Sequence, residues 1–314
     1  MFIGVDLGGS HIGGGLVDNN GKIVARATVE NRVGTSQEII IDNMIQLCKK
    51  IIEKSGVKKE DISSIGIGCP GTCDDKRGII VYENKLKMRN VPVRAEFAKH
   101  FDMPIHMEMD ANCAALAESF FGAAKGYDTS VTITLGTGLG GGIVINGKIF
   151  SGFNFAGSEM GHTVMVVDGE QCTCGRRGCW EAYSSATALV NKALQAIQNK
   201  RETIILDLAG GDISKINGEI IFNAAKQGDK AAEDIIEQYI KYLAEGITNV
   251  VNTIMPEVFV IGGGVCRQGD YLLKPLQRLV NEKMYVRGDT PKTIIKIAEM
   301  QNDAGIIGAA MLGR

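Results

Sequence analysis

The chain has no excess of either charge sign. It carries 34 Lys and Arg against 36 Asp and Glu over 314 residues, a formal net charge of −2, and no run of like charge stands out. A nucleic-acid surface needs clustered basic residues, so that class of partner is excluded. Long apolar runs are missing too. Met1 leads straight into Phe2-Ile-Gly-Val-Asp6 with no basic leader and no cleavage site, and no stretch is long enough to span a bilayer. The expected location is the cytoplasm, with no membrane partner. A P-loop is also absent, because no glycine run ends in Gly-Lys-Ser/Thr.

What is present begins with length: 314 residues suffice for two domains, each with its own core. Eight cysteines could suggest disulfides, but Cys48, Cys69, Cys113 and Cys266 lie in apolar or Gly-rich stretches. Three of the others, Cys172, Cys174 and Cys179, form a knuckle, and His162 stands ten residues upstream of it. Three thiolates and an imidazole at this spacing describe a closed, tetrahedral structural zinc site. Gly175 and Gly178 provide the tight backbone such a knuckle needs. One bound metal in a reducing compartment fits better than a bridged secreted domain. Glu159 and Glu181 bracket the knuckle, where carboxylates are placed to bind a polyol.

Taken in order, residues 2 to 6, 12 to 18 and 22 to 29 read as a three-stranded meander, turned at Gly8-Gly-Ser10 and at Asn19-Asn20-Gly21. A helix over 39 to 55 follows, then a buried strand over 62 to 68 that runs into Cys69-Pro70-Gly71-Thr72. Asn84 and the segment around Pro92 read as loop, followed by a helix at 93 to 101 and a strand at 104 to 109. Asp110 is expected to N-cap the next helix. The pattern then repeats. Leu7-Gly-Gly-Ser10, Gly13-Gly-Gly15-Leu16-Val17 and Asn20-Gly21-Lys22-Ile23 return as Leu135-Gly136-Thr137-Gly138, Gly140-Gly-Gly142-Ile143-Val144 and Asn146-Gly147-Lys148-Ile149, at an offset drifting from 128 to 126 residues. Three matched segments in one order indicate a duplicated domain whose second copy carries the metal insertion at 157 to 181. Beyond it the spacing predicts helices at 184 to 200, 219 to 228, 229 to 255 and 269 to 284. Strands are predicted at 258 to 261 and 293 to 298, and a closing helix at 304 to 312.

Two glycine turns, one per copy, suggest backbone cradles for phosphate oxygens facing each other across a cleft. The first carries Asp6, whose carboxylate could hold a hydrated Mg²⁺; the second carries Thr137, whose hydroxyl could meet a transferring phosphate. Gly262-Gly263-Gly264 after a strand is a third cradle, suited to close approach by an adenosine. Asp110, at the carboxyl end of a strand, is either a plain helix cap or a base that accepts an alcohol proton late in phosphoryl transfer. Asn84, Asn112, Glu159 and Glu181 add the donors and acceptors a sugar requires. His162 can turn one ring nitrogen to the metal and the other to the ligand.

Together these residues resemble the ROK family (repressors, open reading frames and sugar kinases), and within it most nearly the bacterial glucokinases. The resemblance spans the chain and is most specific from Gly161-His162 through Cys172-x-Cys174-Gly-x-x-Gly-Cys179-x-Glu181. It implies an actin-like ATPase, ribonuclease-H-like α/β fold with two duplicated lobes: 1–118 closed by 302–314, and 119–301. It implies Asp110 as catalytic base and Gly71, Asn84, Asp110, Glu159, His162 and Glu181 around a hexose. Asp6, Gly8, Gly9, Ser10, His11, Gly136, Thr137, Gly138, Gly262, Gly263 and Gly264 would surround ATP with its Mg²⁺, and His162, Cys172, Cys174 and Cys179 would hold structural Zn²⁺. It also implies a homodimer, or a tetramer. Two positions depart from the family pattern: Met109 stands where Asn is common before the Asp, and His11 where Lys or Thr is commoner.

The implied activity is transfer of the γ-phosphoryl group of ATP to the C6 hydroxyl of a hexose, with glucose leading. Allose, mannose, fructose or an N-acetylhexosamine are the alternatives that Met109 keeps open. A second class is a sugar-sensing transcription regulator, which would need a DNA-binding part ahead of the first strand. A zinc-stapled binding module without catalysis would predict a damaged glycine turn or a missing Asp110, and neither is seen.

Overall fold

Apolar residues fill nearly every position of Phe2–Leu7, which marks a strand covered on both faces. In the computed structural model, which describes residues 1–32 and 34–314, this segment is strand β1 at the centre of a five-stranded sheet. Strands β2 (His11–Val17) and β3 (Ile23–Glu30) continue it as an antiparallel meander. Helix α1 (Gln37–Ser55) turns Ile40, Met44, Leu47 and Ile51 into the core and stops at Gly56, whose φ of 66° ends the helix. Strand β4 (Ser64–Cys69) pairs parallel to β1, and a small antiparallel sheet follows: β5 (Thr72–Asp74), β6 (Ile79–Glu83) and β7 (Met88–Val91). A short helix α2 (Val93–Phe97) leads to β8 (Ile105–Met109), parallel to β4, and then to α3 (Asp110–Phe121). The first sheet thus has the order β3-β2-β1-β4-β8.

The second sheet repeats that order as the sequence duplication requires. Its strands are β9 (Thr129–Leu135), β10 (Leu139–Ile145), β11 (Lys148–Ile149), β12 (Val258–Gly262) and β13 (Ile294–Ile297), arranged β11-β10-β9-β12-β13. Between β11 and β12 lie α4 (Glu181–Ser184), α5 (Ala186–Gln198), α6 (Ile205–Leu208), α7 (Gly218–Lys226) and the long α8 (Lys230–Ile254). Asp229 caps α8 by accepting the Ala232 N–H at 3.0 Å, and the helix ends at Met255 ahead of Pro256. Helix α9 (Asp270–Lys283) separates β12 from β13, and α10 (Ala304–Met311) closes the chain.

Two compact units result. One comprises Met1–Thr132, Gly142–Ser158 and Glu299–Arg314; the other comprises Ile133–Gly141 and Glu159–Ala298. The sequence reading draws its first border at 118, inside α3. There the buried carboxylate of Glu118 accepts the Ala123 N–H at 2.8 Å and the Met300 N–H at 2.8 Å, tying both following segments to the first unit. Helix α10 lies directly on backbone in that unit. A Cβ on Gly66 would stand 1.7 Å from the Ala309 carbonyl oxygen, and one on Gly308 would stand 1.7 Å from that of Cys113. Close approach of this kind explains why the closing helix is built from Ala and Gly as well as Ile.

Three local readings are corrected. The segment around Pro92 is not all loop, because Met88–Val91 pairs with Ile79–Glu83 as a strand, while Asn84 lies in the turn between them as expected. Asp110 is the first helical residue rather than the cap; Met109 occupies the cap position, and Asp110 Oδ1 accepts the Ala111 N–H at 2.7 Å. The helix expected over 184 to 200 breaks at Ser185, which has extended backbone and caps α5 by accepting the Ala188 N–H at 3.0 Å.

Candidate functional site

In the first unit the β1–β2 turn is held from outside by a residue that motif reasoning missed. Asn31, buried just after β3, donates its side-chain N–H to the Gly8 carbonyl at 2.9 Å and its backbone N–H to that of Ser10 at 2.8 Å. The turn closes on itself through the Gly8 N–H to the His11 carbonyl at 3.0 Å. Exposed His11 then starts β2, in register with Glu30. Asp6 lies near the end of β1, partly buried. Burial and then the charge of Asp110 push its carboxyl up to about 6. Asp110 is open to solvent on one side and crowded by protein on the others. That crowding raises its carboxyl above the ordinary range, against the Ala111 N–H and the ammonium of Lys85. Lys85 is a second residue missed from the sequence, since only the β6–β7 turn brings it toward Asp110.

The same small sheet brings Gly71 and Asn84 together. Gly71 has a φ of 72°, and a Cβ there would stand 2.3 Å from the Tyr82 carbonyl oxygen, so the turn presses flat against β6. Asn84 is exposed in the next turn, which the Glu83 carboxylate braces by accepting the Lys85 N–H at 3.0 Å and the Leu86 N–H. One expected sugar contact is differently placed. Asn112 is fully buried and donates to Glu108 at 3.0 Å, so it serves the start of α3 rather than a ligand. Met109 is buried in the apolar core with Ile105 and Met107.

In the second unit the Gly136-Thr137-Gly138 turn joins β9 to β10, with the Gly136 N–H donating to Gly138 at 3.0 Å. Gly262, Gly263 and Gly264 follow β12. A Cβ on Gly263 would lie 2.1 Å from the Leu135 carbonyl oxygen, so this third turn is laid against the end of β9, beside the second. Gly9, Gly136 and Gly264, one from each turn, share a property. No protein atom lies within 4 Å of where their Cβ would be, and none has a left-handed φ. Neither packing against the fold nor a left-handed φ asks for glycine at these three positions.

The candidate metal ligands converge as expected. Donor atoms of His162, Cys172, Cys174 and Cys179 all lie within 4.8 Å of one another. Tetrahedral zinc, with bonds of about 2.3 Å to sulfur and about 2.0 Å to nitrogen, separates sulfur pairs by about 3.8 Å and a sulfur–nitrogen pair by about 3.6 Å. The Cys174 and Cys179 sulfurs are 3.7 Å apart, and Cys172 Sγ lies 3.6 Å from His162 Nδ1. The donor set therefore fits the ion, with Nδ1 as the imidazole ligand. Burial and the neighbouring thiols push Cys179 up to about 12, a penalty that a divalent cation at the shared centre removes. Trp180, fully buried, anchors the knuckle against α8, where a Cβ on Gly246 would stand 1.9 Å from the indole ring. Glu159 is exposed and leads into the turn that carries His162, whose N–H donates to the Glu159 carbonyl at 3.1 Å. Glu181 is partly buried; Oε2 accepts the Leu139 N–H at 2.8 Å and Oε1 accepts the Thr173 hydroxyl at 2.9 Å.

All eight cysteines are free. Among the described residues no helix is long and apolar enough to cross a membrane.

Known proteins are similar to this chain along its whole length. A glucokinase of Thermotoga maritima is 36% identical over 313 residues, 99% of this chain and 96% of its own length. The crystal structure of a ROK family glucokinase from Streptomyces griseus in complex with glucose and AMPPNP matches with a TM-score of 0.84 at 34% identity, covering 99% of this chain and 98% of that one. The xylose repressor of Caldicellulosiruptor bescii is more distant, 27% identical over 98% of this chain and 76% of its own length. The ROK family profile matches residues 2–314, and the chain belongs to the ROK family.

Proposed function

We propose that this protein is an ATP-dependent hexose kinase that transfers the γ-phosphoryl group to the C6 hydroxyl of a hexose, glucose first among them. The observation that carries this reading is the set of three glycine turns in which Gly9, Gly136 and Gly264 leave open space that the fold does not need. Backbone cradles of this kind suit the phosphates and the adenosine of a nucleotide. In this reading Asp6, Gly8, Gly9, Ser10 and His11 form the first ATP contact, Gly136, Thr137 and Gly138 the second, and Gly262, Gly263 and Gly264 the third. Greater likeness to glucokinases than to the repressor supports the kinase over the regulator. A homodimer is carried over from the family resemblance.

Gly71, Asn84, Glu159, His162 and Glu181 contact the hexose, and Asp110 takes its proton. The sugar oxygen forms a bond to the γ-phosphorus as the bridging oxygen to the β-phosphorus leaves with ADP, and the hydroxyl proton passes to the Asp110 carboxylate. In a loose transition state that transfer comes late, so Asp110 needs only to be ionised and in place. The Ala111 N–H and Lys85 both favour its charged form. Asp6 is the carboxylate that would hold the Mg²⁺ accompanying ATP, and a cation there relieves the mutual repulsion of the two acids; bound Mg²⁺ supplies neutralisation of phosphate charge. Zinc would be held by His162, Cys172, Cys174 and Cys179 and stiffens the segment between Glu159 and Glu181.

The test is ADP release measured over glucose, allose, mannose, fructose and the N-acetylhexosamines, with Asp110→Asn alongside. Sugar-dependent ADP release by the wild type, cut by about 10² to 10⁴ in the variant with hexose binding retained, is the expected result. Release that no hexose stimulates, or an unaffected variant, overturns the reading.

A further inference from the structure

Glu181 stands two residues beyond the last knuckle cysteine and touches both the metal loop and the turn assigned to phosphate. Its Oε2 accepts the N–H of Leu139, the first residue of β10 and the one that follows Gly138. A Cβ on Gly138 would lie 2.4 Å from that same oxygen, so the glycine leaves room for the carboxylate. Its Oε1 accepts the hydroxyl of Thr173 at 2.9 Å and faces the Cys172 thiol at 3.6 Å. Thr173 sits between two of the four metal ligands. At the other end of the turn, the Ala186 N–H donates to the Gly136 carbonyl at 2.9 Å. Thr137, Cys172, Thr173 and Glu181 share the wall of one cavity of about 400 Å³.

We propose that the metal knuckle sets the shape of the second phosphate cradle through Thr173 and Glu181, so that metal occupancy governs affinity for the phosphoryl donor. This rests on reading Gly136–Gly138 as a nucleotide cradle and adds Glu181 as its positioning residue, besides its role toward the hexose. The ligands on either side of Thr173 fix its hydroxyl once the ion is bound. A fixed hydroxyl selects one orientation of a carboxylate that otherwise has several rotamers, and ordering it ahead of the ligand removes that entropy from the binding step. The oriented carboxylate then holds the Leu139 amide and with it the end of the turn. Coupling of this kind is reciprocal: bound nucleotide must raise metal affinity by the same factor as metal raises nucleotide affinity.

The discriminating variants are Thr173→Val, which removes the hydroxyl at an exposed position and spares every ligand, and Thr173→Ser, which restores it. Calorimetry with a non-hydrolysable ATP analogue, metal content by mass, and exchange of the Leu139 amide are read on each. Thr173→Val is expected to keep its metal, to bind the analogue roughly five- to tenfold more weakly, and to exchange the Leu139 amide faster. Thr173→Ser returns both to wild-type values, and chelation of the wild-type protein reproduces the loss of analogue affinity and the faster Leu139 exchange. Analogue affinity within twofold of wild type in Thr173→Val, or unchanged by chelation, overturns the coupling while leaving the kinase reading intact. Failure of the wild-type protein to bind the analogue at all overturns the cradle assignment itself.

Discussion

Asp110 burdens Asp6. The carboxyl of Asp6, at the end of β1, is pushed up to about 6 by burial and then by the charge of Asp110 at the head of α3. An acid whose folded value lies above its unfolded one binds more protons when folded, so stability falls as pH rises from about 4 to about 6 and stays reduced above. A shift from 3.8 to about 6 corresponds to about 3 kcal/mol. Asp6→Asn removes that cost. It is expected to unfold at higher urea than the wild type at pH 7 without divalent cation, the gap closing by pH 4, while its turnover is largely lost. Turnover of the wild type should fall on acidification as Asp6 takes up a proton. Urea midpoints of the two proteins at pH 4 and pH 7 check the sign.

Glycines with different surroundings should separate folding from binding. At Gly308 an added methyl meets the Cys113 carbonyl within the packed seam of α10 and α3, so Gly308→Ala should cost about 1 to 3 kcal/mol and lower the melting temperature. At Gly9 and Gly136 the same methyl meets no protein atom. Gly9→Ala and Gly136→Ala are expected to melt with the wild type and yet raise the KM for ATP at least tenfold. Paired melting curves and ATP titrations decide it; a Gly9→Ala protein with normal KM would remove the first turn from the nucleotide site.

Metal loss should act on the second unit. Cys179 is fully buried between its three co-ligands and Trp180, so Cys179→Ser leaves an incomplete donor set at the base of the knuckle. The variant is expected to lose close to one equivalent of zinc by mass, to show a lower melting temperature, and to bind hexose more weakly, because Glu159, His162 and Glu181 all sit on the segment that the ion stiffens. Wild type treated with chelator should do the same, and a chelated protein with unchanged hexose affinity would contradict the role given to that segment.

The contrast between Cys179 and Asn31 shows what was legible in the chain. Spacing alone picked out the four residues whose donor atoms converge, because all but His162 fall within eight residues and the knuckle geometry is local. The duplication was legible for a similar reason: each copy repeats strand, glycine turn and strand in short order, and the two sheets share one strand order. Asn31 and Lys85 were not legible, since neither belongs to a motif. Asn31 matters only because the β2–β3 pairing returns it to Gly8, and Lys85 only because a three-stranded sheet displaces its turn toward Asp110. The role of Asn112 was misread because an amide two residues from the candidate base looks available for a sugar, while the helix turns it inward to Glu108. The helix position of Asp110 was off by one, because a carboxylate that binds the next N–H resembles a cap in sequence.

Met109 carries the specificity question. Its side chain is packed with Ile105 and Met107 in the first unit's core, and it is paired in register with Cys69, immediately before the Pro70-Gly71 turn. Met109→Asn restores the residue common in the family but places an amide among apolar neighbours. An amide without a partner there costs about 1 to 3 kcal/mol, so the ligand-free variant should melt below the wild type. If the amide reaches a sugar hydroxyl in the complex, bound hexose recovers part of that loss, and the hexose that recovers most is the one whose hydroxyl faces position 109. The expected result is a kcat/KM ratio of glucose to allose that rises by about tenfold or more in Met109→Asn, together with a larger glucose-induced rise in melting temperature than the wild type shows. An unchanged ratio with a lowered melting temperature would mean that position 109 belongs to the core alone, and that selection among hexoses is made at Asn84, Glu159 or His162.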